Sequence, residues 1–153
     1  MSRALLLSAG AVVALIALMV SPGAHEHATG IVKERMDGMA AMAKSMKSIN
    51  QRIKAGRDLE GVRTEAESVL VAASKIPAWF PSGSNQHPTE AKEEIWRNWA
   101  DFQSKGHALE AEVAKLVTLD KGNPKTVATQ VRAVGHACSA CHELYREKTN
   151  RPE

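Results

Sequence analysis

Aromatic side chains are scarce in this chain: Phe, Trp and Tyr together make up 4% of its 153 residues. An all-β fold is therefore disfavoured, because pleated sheets draw on aromatic and β-branched side chains. Ala, Leu, Met, Lys and Glu, which are good helix formers, are plentiful instead. Charge of one sign is lacking as well. Twenty Lys and Arg stand against seventeen Asp and Glu, a net charge of +3 with no long run of either sign, which excludes the basic footprint of a nucleic-acid-binding domain. Two cysteines are too few for a disulfide scaffold. At roughly 150 residues per domain, the length allows one domain and excludes a multidomain machine.

The longest apolar run lies at the start. Arg3 is followed by unbroken apolar and small residues from Ala4 to Val20, then by Ser21-Pro22-Gly23-Ala24. A cation, an apolar stretch and small residues in that order read as a secretory signal peptide over residues 1–24; the alternative is a retained membrane anchor. Removal of Arg3 with that segment leaves 19 cationic against 17 anionic residues in 25–153. The exported domain is nearly balanced in charge, and its compartment is the periplasm.

Four helical stretches follow. Val32, Met36, Met39, Ala43, Met46, Ile49 and Ile53 recur at steps of three or four, the spacing of one helix face. Gly56 then supplies a stop, and Leu59, Val62, Ala66, Val69, Ala73 and Ile76 define a second face. Pro77, Pro81 and Pro88 break the pattern and make the longest connection. Pro88 is expected in the first turn of a third helix, lined by Ile95, Trp96, Trp99, Phe102, Leu109, Val113, Leu116 and Val117. Lys121-Gly122-Asn123-Pro124 stops that helix and caps a fourth, carrying Val127, Val131, Val134, Cys138, Cys141 and Tyr145. The simplest arrangement is an all-α, antiparallel, up-down-up-down four-helix bundle.

Chemistry concentrates near the C-terminus, in Cys138-Ser139-Ala140-Cys141-His142. C-x-x-C-H is the attachment pattern of c-type haem: each thiol adds to one vinyl group, and the histidine reaches the iron from the same side. On a helix the cysteines lie on one face, three residues apart, with the histidine one step further round. A redox C-x-x-C would need a βαβ context that this chain lacks. A structural zinc site would need four ligands, recruiting a distant residue such as His107. His25 and His27, His87 and His136 have no strong ligand spacing. The bundle is thus expected to enclose one covalently bound haem c, attached through Cys138 and Cys141 with His142 on the iron.

A C-x-x-C-H close to the C-terminus of a four-helix chain resembles the class II cytochromes c, the cytochrome c prime family. The likeness runs through Val32-Lys33-Glu34-Arg35 and Met39, Trp79-Phe80-Pro81, Ile95-Trp96, Asp101-Phe102, and Gly135-His136-Ala137-Cys138 to Tyr145-Arg146. It implies a distal position four residues after Arg35. Met39 stands there, as in the low-spin, methionine-ligated branch, with Met42 as the fallback ligand; Met36 replaces a glutamine common in the family. The resemblance also puts Arg35 near a haem propionate and Arg146 near the proximal imidazole.

The resulting expectation is a monohaem electron carrier whose iron alternates between ferric and ferrous with His142 and Met39 bound. A thioether ligand raises the potential, which suits that role. The alternative is a five-coordinate protein that binds nitric oxide or carbon monoxide. No distal acid-base pair points to an enzyme. Redox proteins are the expected partners, nucleic acid is not, and the state is monomer or homodimer, with the first two helices as the dimer surface in many relatives.

Overall fold

Helix α1 (Gly30–Ala55) ends where Gly56 takes a left-handed conformation, φ 63°, and donates its N–H to the carbonyls of Arg52 and Ile53. Glycine adopts that geometry without a Cβ clash, so the chain turns there. The remaining helices of the computed structural model are α2 (Leu59–Ala73), α3 (Glu94–Arg97), α4 (Trp99–Thr118) and α5 (Pro124–Tyr145), with a 3-10 turn at Pro77–Trp79. The structure describes residues 28–56, 59–120 and 123–148. The signal or anchor segment expected over residues 1–24, and His25 and His27, lie outside them. No helix among the described residues is long and apolar enough to cross a membrane.

Helix α1 packs on α2, α2 on α4, and α4 on α5, while α1 and α5 meet over a shorter stretch. This is the up-down-up-down bundle, with its core between the helices. The expected stripes of α2 and α5 are the buried ones: Val62, Ala66, Val69 and Ala73 on the former, Val127, Val131 and Val134 on the latter. Asn123 caps α5 through its side-chain oxygen, which accepts from the N–H groups of Lys125 and Thr126.

Two expectations need correction. The buried residues of α1 are Arg35, Met42 and Ile49, whereas Ala43 is exposed. Ile49 is buried and Met39, Met46 and Ile53 pack against the core as expected; the pattern missed Met42 and the charged Arg35, whose inward position hydrophobicity cannot reveal. Pro88 does not open the third helix. Residues after it run extended, with Ala91 and Arg146 forming an antiparallel bridge. The N–H groups of Lys92 and Glu147 donate to the carbonyls of Tyr145 and Glu90. With its hydrogen bonds committed to α5, this stretch cannot coil, and helix begins only at Glu94, breaking again at Asn98 (φ −118°, ψ 44°).

Trp79 closes one end of the core. It is buried, and its indole nitrogen donates to Glu34 Oε1 at 3.1 Å. A Cβ built on Gly38 would lie 2.2 Å from the ring, so glycine lets α1 and this indole touch. Gly38→Ala is expected to destabilise the fold by about 1–3 kcal/mol, because neither partner can yield without shifting packed backbone. Thermal unfolding of the purified protein checks this.

Candidate haem-binding site

The last turns of α5 carry the C-x-x-C-H residues. Cys138 and Cys141 are half-buried free thiols packed against the edge of the core. Burial raises the pKa of Cys138, and that of Cys141 is pushed up to about 11. Both are therefore protonated thiols at neutral pH. His142 lies on the outward side of the same turn. Desolvation by surrounding protein, and secondly the charge of Arg146, hold its imidazole below the ordinary value. The neutral form, which has a lone pair for a metal, is favoured.

Below this turn, Tyr145 is buried and donates from its hydroxyl to Asp101 Oδ2 at 2.6 Å. Its ring meets Phe102 edge-on at 5.4 Å between centroids, and Phe102 also packs against Phe80 and Trp99. Burial first, and then Asp101, push the Tyr145 hydroxyl up to about 12. The donated hydrogen bond holds the Asp101 carboxyl below its usual range. Tyr145 thus anchors the haem-binding turn to α4 as a neutral donor. Arg146, the next residue, donates from Nε and Nη2 to Glu90 Oε2 at 2.8 and 2.7 Å.

On the facing helix, Arg35 is 3% exposed. Its Nη1 donates to Ser84 Oγ at 3.1 Å and its Nη2 to Thr89 Oγ1 at 2.5 Å, and the guanidinium sits 5.0 Å from the centre of the Phe80 ring. Burial lowers its pKa, yet a guanidinium stays charged in proteins. No carboxylate pairs with it in any ion pair among the described residues. A buried cation bonded only to hydroxyls is short of negative charge. Met39, one turn on, is half-buried at the core edge. Met42 is buried within the core, and Met36 is half-buried.

The residues present suit a haem: two reduced thiols, a neutral imidazole, a buried cation suited to a propionate, and a weakly packed seam between α1 and α5. His87, His107 and His136 are exposed, and no group of three or more His, Cys, Asp or Glu gathers as around a metal ion among the described residues. Sequence reasoning missed Ser84, Thr89 and Glu90, the partners of Arg35 and Arg146. Lying in the proline-flanked connection, they carry no periodicity that could have announced them.

A C-x-x-C-H at the end of a four-helix bundle defines a c-type cytochrome. The family model described as Cytochrome C' matches residues 30–146, and the chain belongs to that family. It carries one covalent haem c, and its only two cysteines form the attachment pattern. Cytochrome c-556 of Agrobacterium tumefaciens (strain II Chrys) is 30% identical over 82% of this chain and 98% of its own length. Cytochrome c' of Alcaligenes xylosoxydans xylosoxydans is 29% identical over 76% of this chain and 93% of its own. Among solved structures, the nitric oxide complex of a variant of cytochrome c prime from Alcaligenes xylosoxidans superposes with a TM-score of 0.71. It shares 26% identity and covers 78% of this chain and 94% of that one. Membership of the family does not by itself select a sixth ligand.

Proposed function

We propose that this protein is an exported, periplasmic monohaem cytochrome that binds a small gas, nitric oxide or carbon monoxide, on the α1 side of the haem, without catalysing a reaction. His142 is the proximal ligand, and Arg146 stands beside it. Arg35 neutralises a propionate, and Met39 guards the distal face. A bound haem would supply an iron that changes between ferric and ferrous and can take a diatomic gas. One observation carries this reading: the helix bearing Met39 and the helix bearing His142 meet only over a short stretch, so the two are not packed tightly together. The nitric oxide complex of the structural relative supports it.

The closed His142/Met39 electron carrier is the second reading. It is favoured by the half-buried Met39 thioether, one turn beyond the buried Arg35. Absorption spectra of the wild-type protein, oxidised, reduced, and reduced under carbon monoxide, separate the two. Gas binding requires that the reduced spectrum shift at micromolar to millimolar carbon monoxide. A low-spin spectrum that ignores the gas sinks this proposal and promotes the carrier.

A further inference from the structure

The connection between the 3-10 turn and α3 touches both sides of the haem site. At its first part, Ser84 and Thr89 accept from Arg35 on α1. The same Thr89 hydroxyl oxygen accepts from the backbone N–H of Ala91 at 3.1 Å. At the next residue, the Glu90 carboxylate takes both donors of Arg146, and the Glu90 carbonyl accepts from Glu147 N–H at 2.8 Å. Arg146 in turn donates its own N–H to the carbonyl of His142 at 3.0 Å. Between the guanidinium one turn before Met39 and the carbonyl of His142 there is thus a continuous run of hydrogen bonds and covalent backbone.

We propose that residues 84–92 form a strap that sets the gap between α1 and α5, with Thr89 as the positioning residue on the Met39 side and Glu90 on the His142 side. The proposal rests on the haem site described above. Direct packing cannot do this work alone, because α1 and α5 share little of it. The strap is built to hold position. Arg35 is buried, so loss of the Thr89 oxygen leaves a desolvated donor without its partner. Two donors of Arg146 converge on one oxygen, Glu90 Oε2, and tie the two side chains together at that point. Neither Thr89 nor Glu90 lies on a helix bearing a proposed ligand, so either acts on the iron through its neighbours, among them Arg35, Arg146 and the backbone bridge to Glu147.

The test uses the haem-loaded protein carrying Glu90→Gln, Thr89→Val or both, with Glu90→Asp as the charge-retaining control. Hydrogen exchange is followed at residues 31–40 and 142–147, and carbon monoxide affinity is measured in parallel. Were the wild type closed by Met39, the high-spin fraction would replace affinity. Glu90→Gln, which removes the carboxylate paired with Arg146 at the end of α5, is expected to speed exchange at residues 31–40. It should also change the gas readout by about fivefold or more, the lower end of typical coupling between sites. Glu90→Asp should return part of the effect, and the double variant should be non-additive, as residues in one network are. Acceleration confined to residues 142–147, additive effects, or transmitted exchange with an unchanged gas readout would each overturn the strap. Failure of the haem reading shows separately, as a protein mass without haem, and leaves the exchange experiment able to judge the strap. Glu90→Gln keeps the shape of a partly exposed side chain, so the fold is retained even should Thr89→Val misfold.

Discussion

Cys138→Ala with Cys141→Ala is expected to yield a chain with no covalent haem: the mass falls to that of the polypeptide, and all colour extracts into acidified organic solvent. Addition of a thiol across a vinyl group places sulfur on one carbon and hydrogen on the other, so attachment consumes no oxidant. What it requires is two thiols that have not paired, held where one ring edge meets both. The structure provides this on one helix turn, with both sulfurs free and half-buried. Either single variant should keep one thioether and part of the colour. His142→Ala is the informative companion. It should retain haem in the mass but lose the spectrum of a histidine-ligated iron, separating attachment from ligation. Covalent haem surviving in the double variant would remove Cys138 and Cys141 from the site.

Much of this was legible in the sequence because it rests on local pattern. Val62, Ala66 and Val69 on α2, and Val127, Val131 and Val134 on α5, announce their faces through period alone. The cysteine spacing and the Asn123 cap are likewise written within a few residues. Tertiary compensation was not legible. The resemblance puts Arg35 near a propionate, but nothing local shows that it is buried, with Ser84 and Thr89 solvating it from a loop some fifty positions away. Met42 is buried where the spacing pointed to its neighbour Ala43, while Met39, Met46, Ile49 and Ile53 sit on the core side as read. Pro88 reads as a helix start, but the Glu90 carbonyl and the Lys92 N–H that follow are claimed by Glu147 and Tyr145. The contact of Gly38 with Trp79 is equally silent in sequence, since a glycine within a helix normally signals weakness rather than close approach.

Met39 decides between the two functional readings, and the choice of substitution decides what is learned. Met39→Ala removes both the sulfur and the bulk; Met39→Leu removes the sulfur at nearly constant volume, an exchange that cores tolerate well. With Met39 acting as a steric guard, Met39→Ala should raise carbon monoxide affinity by about tenfold to a hundredfold, the range a few lost methylene-sized contacts give a pocket. Met39→Leu should stay within about threefold of wild type, a difference below 1 kcal/mol. With the thioether bound to iron, both variants lose the ligand, and Met39→Leu becomes high-spin and gas-reactive along with Met39→Ala. Folding does not confuse the comparison. Met39 is only half-buried, so its truncation should cost less than the roughly 2–5 kcal/mol of a fully buried methionine. Met42, held in the core by its neighbours, should not move out to replace it. Titration of ferrous wild type, Met39→Leu and Met39→Ala with carbon monoxide therefore reads the sixth position directly. A leucine variant that behaves like the alanine variant establishes sulfur ligation; one that behaves like wild type establishes the guarded gas site.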